Sequence, residues 1–323
     1  MFRRRSLATL GAAVLGASLA APRAARAAWP ERPIQIICPG PAGGGMDTYA
    51  RAIIPFVAPR LGNASMVVIN RPNASGQLAF ESVALAEPDG YTIGVAQTPN
   101  LITLPIERQV RYRVQDLTYL ANVVEDPGGL FVRANSPYRA LPELVADAKA
   151  KPGRLAIGSA GIGTDDHLLI LALQEATGTS YSHVPYSGTP PIIQAVLAGD
   201  IAAGSFNVSE GIGLLRQGSL RLLGQANEQR WAEADAVPTF REQGIDMVAG
   251  SVRGVIGPPN MPAALRDRFR TAFAEALADP AWVKEAARLS LPLRVMSGEA
   301  QQALFLADDV KLRALWQRQP WRE

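Results

Sequence analysis

The 323-residue chain holds a single cysteine, Cys38, and two histidines, His167 and His183. One thiol excludes an internal disulfide in any compartment, and two histidines with no third ligand at zinc spacing give no support for a metal centre. H-E-x-x-H, G-x-S-x-G and G-x-x-x-x-G-K-[ST] are all absent, which removes the specific signals for metalloprotease, serine-hydrolase and nucleotide-phosphate chemistry. After residue 27 no apolar run approaches the roughly 20 residues that span a bilayer. Lysine is scarce too: Lys149, Lys151, Lys284 and Lys311 are the only four.

The basic balance is confined to one end. The chain carries 32 basic and 29 acidic residues for a net charge of +3. Arg3, Arg4, Arg5, Arg23 and Arg26 all lie in the first 27 residues, so the remainder has 27 basic against 29 acidic groups. No basic face survives that would mark a nucleic-acid binder. The opening stretch, MFRRRSLATLGAAVLGASLAAPRAARA, has an arginine-rich head, an apolar middle and a small-x-small end at Ala25-Arg26-Ala27. That is the grammar of a secretory signal peptide, with cleavage expected near Ala27. The Arg4-Arg5 pair leaves both the general and the twin-arginine export routes open. The mature chain is expected to be an exported, periplasmic protein with Cys38 buried in a core.

What is there in quantity is glycine, 29 residues of it, placed in two telling runs. Beyond residue 30, short β-rich segments alternate with amphipathic helices. Strands are expected at 33–38, 66–69, 91–96, 118–124, 130–132, 155–158, 182–184, 201–205, 220–225 and 252–256. Helices are expected at 46–61, 75–86, 141–150, 164–177, 191–197, 263–278, 280–289 and 298–317. This alternation argues for an α/β protein with parallel sheets. The strands fall into two sets, while the last seventy residues are too helical to stand alone and are expected to return to the first sheet. The expected division is 1–27 signal peptide, 28–127 first domain, 128–251 second domain and 252–323 returning to the first, with a hinge where the chain crosses.

Each set has a glycine-rich strand-to-helix turn: CPGPAGGGMD from Cys38 and GSAGIGTDDH from Gly158. At such turns the main-chain N–H groups and the helix N-terminus make an anion site, and glycine lets a ligand approach the backbone closely. A tight turn with no ligand is the plain alternative. Asp165 and Asp166 read either as paired carboxylates or as acids complementing a helix dipole. His167 and His183 read as ordinary hydrogen-bonded histidines, or His167 as a ligand contact.

Five segments in register, WPERPIQIICPGPAGGGMD, INRPNASGQLAFESVALAEPDGYTI, AKPGRLAIGSAGIGTDDH, HVPYSGTPP and VPTFREQG, resemble the Bug family. Its members are periplasmic solute-binding proteins of tripartite tricarboxylate transporters. The resemblance covers essentially the whole chain after residue 28. It implies a periplasmic-binding-protein-like α/β fold, with two α/β domains joined by a hinge and the ligand cleft between them. It implies no enzymatic activity, no cofactor and no metal. It also implies a monomer that delivers a small organic carboxylate to membrane permease subunits. The first loop, Pro39, Gly40, Pro41, Ala42, Gly43, Gly44 and Gly45 with Asp47, would clasp the ligand carboxylate against Ser159, Ala160, Gly161, Gly163, Thr164 and His167 of the second. Gln97 and Thr98, Tyr186, Ser205, Phe206 and Asn207, and Ser251 to Gly254 with Arg253 among them, would set ligand identity.

Several positions depart from the family pattern. Met46 replaces a hydroxyl residue that could cap the helix, and Asp165 and Asp166 stand where small polar residues are common. Phe206 stands where many relatives have Asp, which would give a more apolar pocket wall. Arg253 reads equally as a bidentate partner for a second carboxylate or as a surface residue on a hinge strand. With these departures, an aromatic or amino-bearing carboxylate is as open as a di- or tricarboxylate. Two other functions stay open: a ligand-presenting sensor subunit for a membrane receptor, and an exported hydrolase.

Overall fold

Ile34, Ile36, Ile37 and Cys38 are all buried because their strand is the centre of a three-stranded parallel unit, covered on both faces. This is the near-continuous apolar pattern of a buried parallel strand. The computed structural model describes residues 29–318 and 320–321; the expected signal peptide lies outside them. The elements run β1 (Ile34–Cys38), α1 (Gly45–Val57), β2 (Met66–Asn70), α2 (Gln77–Ala84), β3 (Thr92–Gln97), α3 (Asn100–Glu107) and β4 (Thr118–Arg133). Then follow α4 (Leu141–Ala150), β5 (Ala156–Ser159), α5 (Asp165–Thr177), β6 (Ser182–Pro185), α6 (Thr189–Ala198), β7 (Ala203–Asn207), α7 (Val208–Arg216) and β8 (Leu220–Gln225). The chain ends through β9 (Gly250–Gly257), α8 (Ala263–Leu277), α9 (Pro280–Arg288), β10 (Leu293–Ser297) and α10 (Gly298–Arg318).

The strands make one continuous path, β2-β1-β3-β9-β4-β7-β5-β6, with β10 and β8 also pairing β4. Pairing is parallel between β1 and its neighbours β2 and β3, and between β5 and its neighbours β6 and β7. The expectation of parallel sheets throughout is therefore corrected: every pair made by β4 and the β3–β9 pair are antiparallel.

Two short strands expected at 118–124 and 130–132 are one 16-residue strand, β4. The break suggested by Asp126-Pro127-Gly128-Gly129 is a handover. Up to Pro127, β4 pairs β9 and β10; from Gly128 it pairs β7 and β8. A Cβ on Gly128 would lie 2.6 Å from Leu169 Cδ1, and one on Gly129 would lie 2.8 Å from Leu222 Cδ1. Glycine is needed there for close packing and does not mark a loop.

α3, α7 and β10 were not anticipated. Pro105 inside α3 has no N–H for the Leu101 carbonyl, and the Tyr112 hydroxyl donates to that carbonyl instead, at 2.9 Å. The cost of a helix-interior proline is thereby offset by a tertiary hydrogen bond. One apolar core joins Tyr49, Ile53 and Val57 of α1 to Phe269 and Phe273 of α8 and Trp282 of α9, placing the C-terminal helices against the first strands. Cys38 belongs to the same core, and burial pushes its thiol up to about 12. Separate cores pack α4, α5, α6 and α7 onto the strands beyond Gly128. The two glycine-rich turns, after β1 and β5, meet across the cleft between these halves.

Candidate functional site

The cleft is closed by direct contacts between the halves. Ser75 Oγ donates to Ile162 O at 2.6 Å, Thr103 Oγ1 to Gly163 O at 2.7 Å and Gly45 N to Glu210 Oε1 at 2.9 Å. Beside these contacts lies a cavity of about 50 Å³.

The first loop is shaped by Asp47. Its carboxylate accepts from Gly43 N, Arg51 Nε and Asn70 Nδ2, and Asn70 also ties down the Gly40 carbonyl. Burial alone would raise the Asp47 pKa, but these donors outweigh it and hold the carboxyl below its ordinary value. α1 starts on Gly44 with no side-chain cap. With Met46 offering no hydroxyl, the exposed helix N-terminus is served across the cleft by Glu210 of α7.

The second loop is shaped the same way. Thr164 caps α5 by accepting from His167 N, Asp166 Oδ2 accepts from Ala160 N at 3.1 Å, and Ser159 Oγ accepts from Gly161 N at 3.3 Å. His167 Nδ1 accepts from Gly163 N at 3.1 Å. Its ring stacks on His183 with centroids 4.1 Å apart, and His183 Nε2 lies 2.6 Å from Ser159 Oγ. Burial, with His183 next to it, lowers His167 to about 3, so its imidazole stays neutral.

Behind the loops lies a buried polar network. Asp165 accepts from Gln97 Nε2 at 3.2 Å and from Asn207 Nδ2 at 2.9 Å. Arg253, 2 % exposed, reaches Ser251 Oγ, the Asn207 carbonyl oxygen, Asp126 Oδ2 at 3.4 Å and Glu210 Oε1 at 3.8 Å. Ser209 donates to Asp126 through both its N–H and its hydroxyl. Four carboxyls, Asp126, Asp165, Asp166 and Glu210, thus surround one guanidinium. Burial raises Asp126 to about 7 despite Arg253, and pushes Asp165 and Asp166 upward as well, Asp166 further because Asp165 stands beside it.

Of the residues singled out in the sequence, Pro39, Gly40, Pro41, Gly44, Gly45, Met46, Gln97, Ala160, Thr164, Asp165, Asp166, Asn207 and Arg253 line the cavity. Ala42, Gly43, Asp47, Ser159, Gly161, Gly163 and His167 lie outside its lining and shape the two loops. Thr98 braces β9 by accepting from Val252 N, and Ser205 holds the start of α5 by donating to Asp166 O. Tyr186 packs against an apolar cluster, leaving Ser187, Gly188 and Thr189 at the cavity. Phe206 corrects the expectation of an apolar pocket wall: it is fully buried and stacks on Phe131 at 4.2 Å, on the side of the sheet away from the cavity. Arg253 is no surface residue either.

The cavity also takes in Asn73, Ser75, Gly76, Asn100 and Glu210. The sequence left the aspartates open between paired carboxylates and helix-start acids. Glu210 and Asn100 carried no signal, because both sit on the unanticipated helices α7 and α3. Among the described residues no group of three or more His, Cys, Asp or Glu is disposed to hold a metal ion, and no helix is long and apolar enough to cross a membrane.

The resemblance extends to known proteins. Protein BugT of Bordetella pertussis is 31 % identical over 312 residues, covering 95 % of this chain and 94 % of that protein. The solved periplasmic binding protein BugD superposes with a TM-score of 0.83 at 26 % identity, covering 90 % of this chain and 98 % of the other. MatC of Rhodopseudomonas palustris, solved with bound malate, superposes with a TM-score of 0.78 at 26 % identity, over 88 % and 97 % of the two chains. The fold is therefore that of the two-domain periplasmic binding proteins. A family profile described as "Tripartite tricarboxylate transporter family receptor" matches residues 50–316, and the chain belongs to that family.

Proposed function

We propose that this chain is an extracytoplasmic solute-binding receptor. It captures a small organic carboxylate between its two glycine-rich loops and hands it to the permease subunits of a tripartite tricarboxylate transporter. The mature chain works in the periplasm as a monomer, and it binds without chemistry. Its first domain comprises residues 28–127 and 252–323, its second residues 128–251, and β4 and β9 form the hinge. Thr98, Ser205 and Asn207 support the site, and Arg253 anchors the acids behind it.

One observation carries this reading: both glycine-rich turns, from separate halves, come together at one closed cavity. The malate bound by MatC fits the same ligand class. The described geometry does not favour the hydrolase alternative: Ser159, at the base of the second loop, lies against His183, and neither borders the cavity.

The test is a thermal-shift screen of the mature protein with small carboxylates, repeated on Gly161→Val. Gly161 has φ +123°, and a Cβ there would stand 3.2 Å from Ser75 Oγ on the opposing half. The backbone strain costs about 1–3 kcal/mol, and the added bulk holds the loops apart. Wild type is expected to show a ligand-dependent rise in Tm, and Gly161→Val to lose it while remaining folded. Full-strength binding by Gly161→Val would remove the paired-loop reading.

A further inference from the structure

Ligand class can be narrowed beyond "carboxylate", on the reading that the cavity between the loops is the binding site. The N–H groups expected to receive a ligand carboxylate are largely engaged by the chain itself. Gly43 N donates to Asp47, Gly45 N to Glu210, Ala160 N to Asp166, Gly161 N to Ser159 and Gly163 N to His167. The one guanidinium at the cavity is ringed by Asp126 and Glu210. A bare di- or tricarboxylate entering here would find few free donors, and its charge is tolerated only while the buried aspartates keep their protons.

A second observation is independent of the acids. Gln97 and Asn100 line the cavity and are 5 % and 6 % exposed, and the side-chain oxygens of both, Gln97 Oε1 and Asn100 Oδ1, have no hydrogen-bond partner. Their amide nitrogens are committed, Gln97 Nε2 to Asp165 and Asn100 Nδ2 to Ser75 O at 3.4 Å. What remains unsatisfied on these two side chains is acceptor capacity, and a buried unmet acceptor is costly. A matching ligand therefore brings hydrogen-bond donors, and an ammonium supplies several from one atom. Arg253 Nη1 is also without a hydrogen bond, but it faces the Asp126 carboxylate 3.4 Å away.

We infer that this receptor selects an amino-bearing carboxylate, a zwitterion whose protonated amine seats against Asp165, Asp166 and the side-chain oxygens of Gln97 and Asn100. Phe206, turned into the core, offers no ring to an aromatic ligand. Binding is expected to release protons. The titratable and charged groups packed around this seat are Asp165, Asp166 and His167 on α5, Asp126 on β4, Glu210 on α7, Arg253 on β9, and His183 and Glu107 beside the second loop. Burial raises both aspartates of the empty cavity, Asp165 to about 6, so in mildly acidic solution Asp165 holds a proton that an ammonium would displace, and affinity for the amine-bearing ligand rises from pH 5 to 8.

The experiment is calorimetric titration of the mature protein with matched pairs: β-alanine against propionate, aspartate against succinate, glutamate against glutarate. Each is run at pH 5 and 8, in two buffers of different ionisation enthalpy. At least one amino compound is expected to bind ten-fold or more tightly than its partner, with proton release. Asp166→Asn, close in shape to the native side chain, is expected to erase that preference. The buffer comparison on wild type stands even if this variant folds poorly. Binding of succinate or glutarate as tight as, or tighter than, the amino partners, with no proton release, overturns the amine inference and leaves the receptor reading standing. If no carboxylate of either kind binds the folded protein, the receptor reading of this cavity fails, and the inference falls with it.

Discussion

Glu210 is expected to act as a latch. Its Oε1 accepts from Gly45 N at 2.9 Å and stands 3.8 Å from Arg253 Nη2, while its Oε2 accepts from Thr189 Oγ1 at 2.8 Å. Gly45 and Arg253 belong to the half built on β1 and β9; Glu210 and Thr189 belong to the half built on β5 and β7. Glu210→Ala thus removes a charged bridge across the cleft without altering the backbone, and Arg253 keeps Asp126 as partner. A hydrogen bond to a charged group contributes about 1.5–3 kcal/mol net. At about 1.36 kcal/mol per factor of ten, the closed-to-open ratio should fall by roughly 10- to 150-fold. The assay is a pulsed electron–electron distance measurement between spin labels at Leu78→Cys and Leu197→Cys, exposed positions on opposite halves. Cys38 is buried and stays unlabelled. Glu210→Ala should shift the distribution to longer distances, and Glu210→Gln, which keeps an acceptor but loses the charge, should fall between. An unchanged distribution in Glu210→Ala would refute the latch.

Two more outcomes separate the core from the site. Phe206→Ala should cost about 3–5 kcal/mol in urea unfolding, as deletion of a buried aromatic does, and leave the order of ligand preference intact; a small loss with altered preference would put the ring in the cleft after all. The ligand-free protein should also become less stable as pH rises from 5 to 8. Burial lifts Asp126 from 3.8 to about 7, so between those values the folded state holds a proton that the unfolded state has released. The resulting stability is complete below pH 4 and lost as pH passes 7. Asp165 and Asp166, also raised, act with the same sign. Asp47, held below its ordinary value, acts in the opposite sense but only in more acidic solution. Melting temperature against pH is the measurement: a rise from pH 5 to 8, with Asp126→Asn no flatter than wild type, contradicts the assignment.

Most strands and long helices were legible because their signals are local. IQIIC and SVRGVIG read as buried strands, and Ala263–Leu277 follows a proline that starts it, Pro262. The elements that escaped depend on distant partners. α3 tolerates Pro105 because a tyrosine seven residues further on satisfies Leu101. β4 runs through Asp126-Pro127-Gly128-Gly129 because β9, more than a hundred residues later, pairs its first half, and Leu169 and Leu222 fill the space a side chain would take. α7 carries Gly211 and Gly213, and a Cβ at Gly211 would fall 2.8 Å from Phe206 Cε2. Propensity rules penalise such glycines, whereas the packing of Phe206 on Phe131 requires the first of them.

The site divides along the same line. Glycine-rich turns announce a backbone receptor because the chemistry lies in the residue type: a missing Cβ exposes N–H groups whatever the surroundings. Which group those N–H donors then hold is a tertiary matter. Gly45 and Glu210 are 165 positions apart, and Gln97 and Asp165 are 68 apart. The aspartates were visible at the start of α5, but a helix start tolerates acids at the surface just as well. Only burial separates the two cases, because it converts a mild dipole preference into a demand for a counter-charge. A loop pair made of main chain can hold any anion, so its selectivity has to come from the chain's own side chains competing for the same donors. In this chain three of the five competitors are carboxylates, Asp47, Asp166 and Glu210, beside Ser159 and His167, and the proposed zwitterion would bring its own positive charge to Asp165 and Asp166 without breaking the contacts that keep the cleft shut.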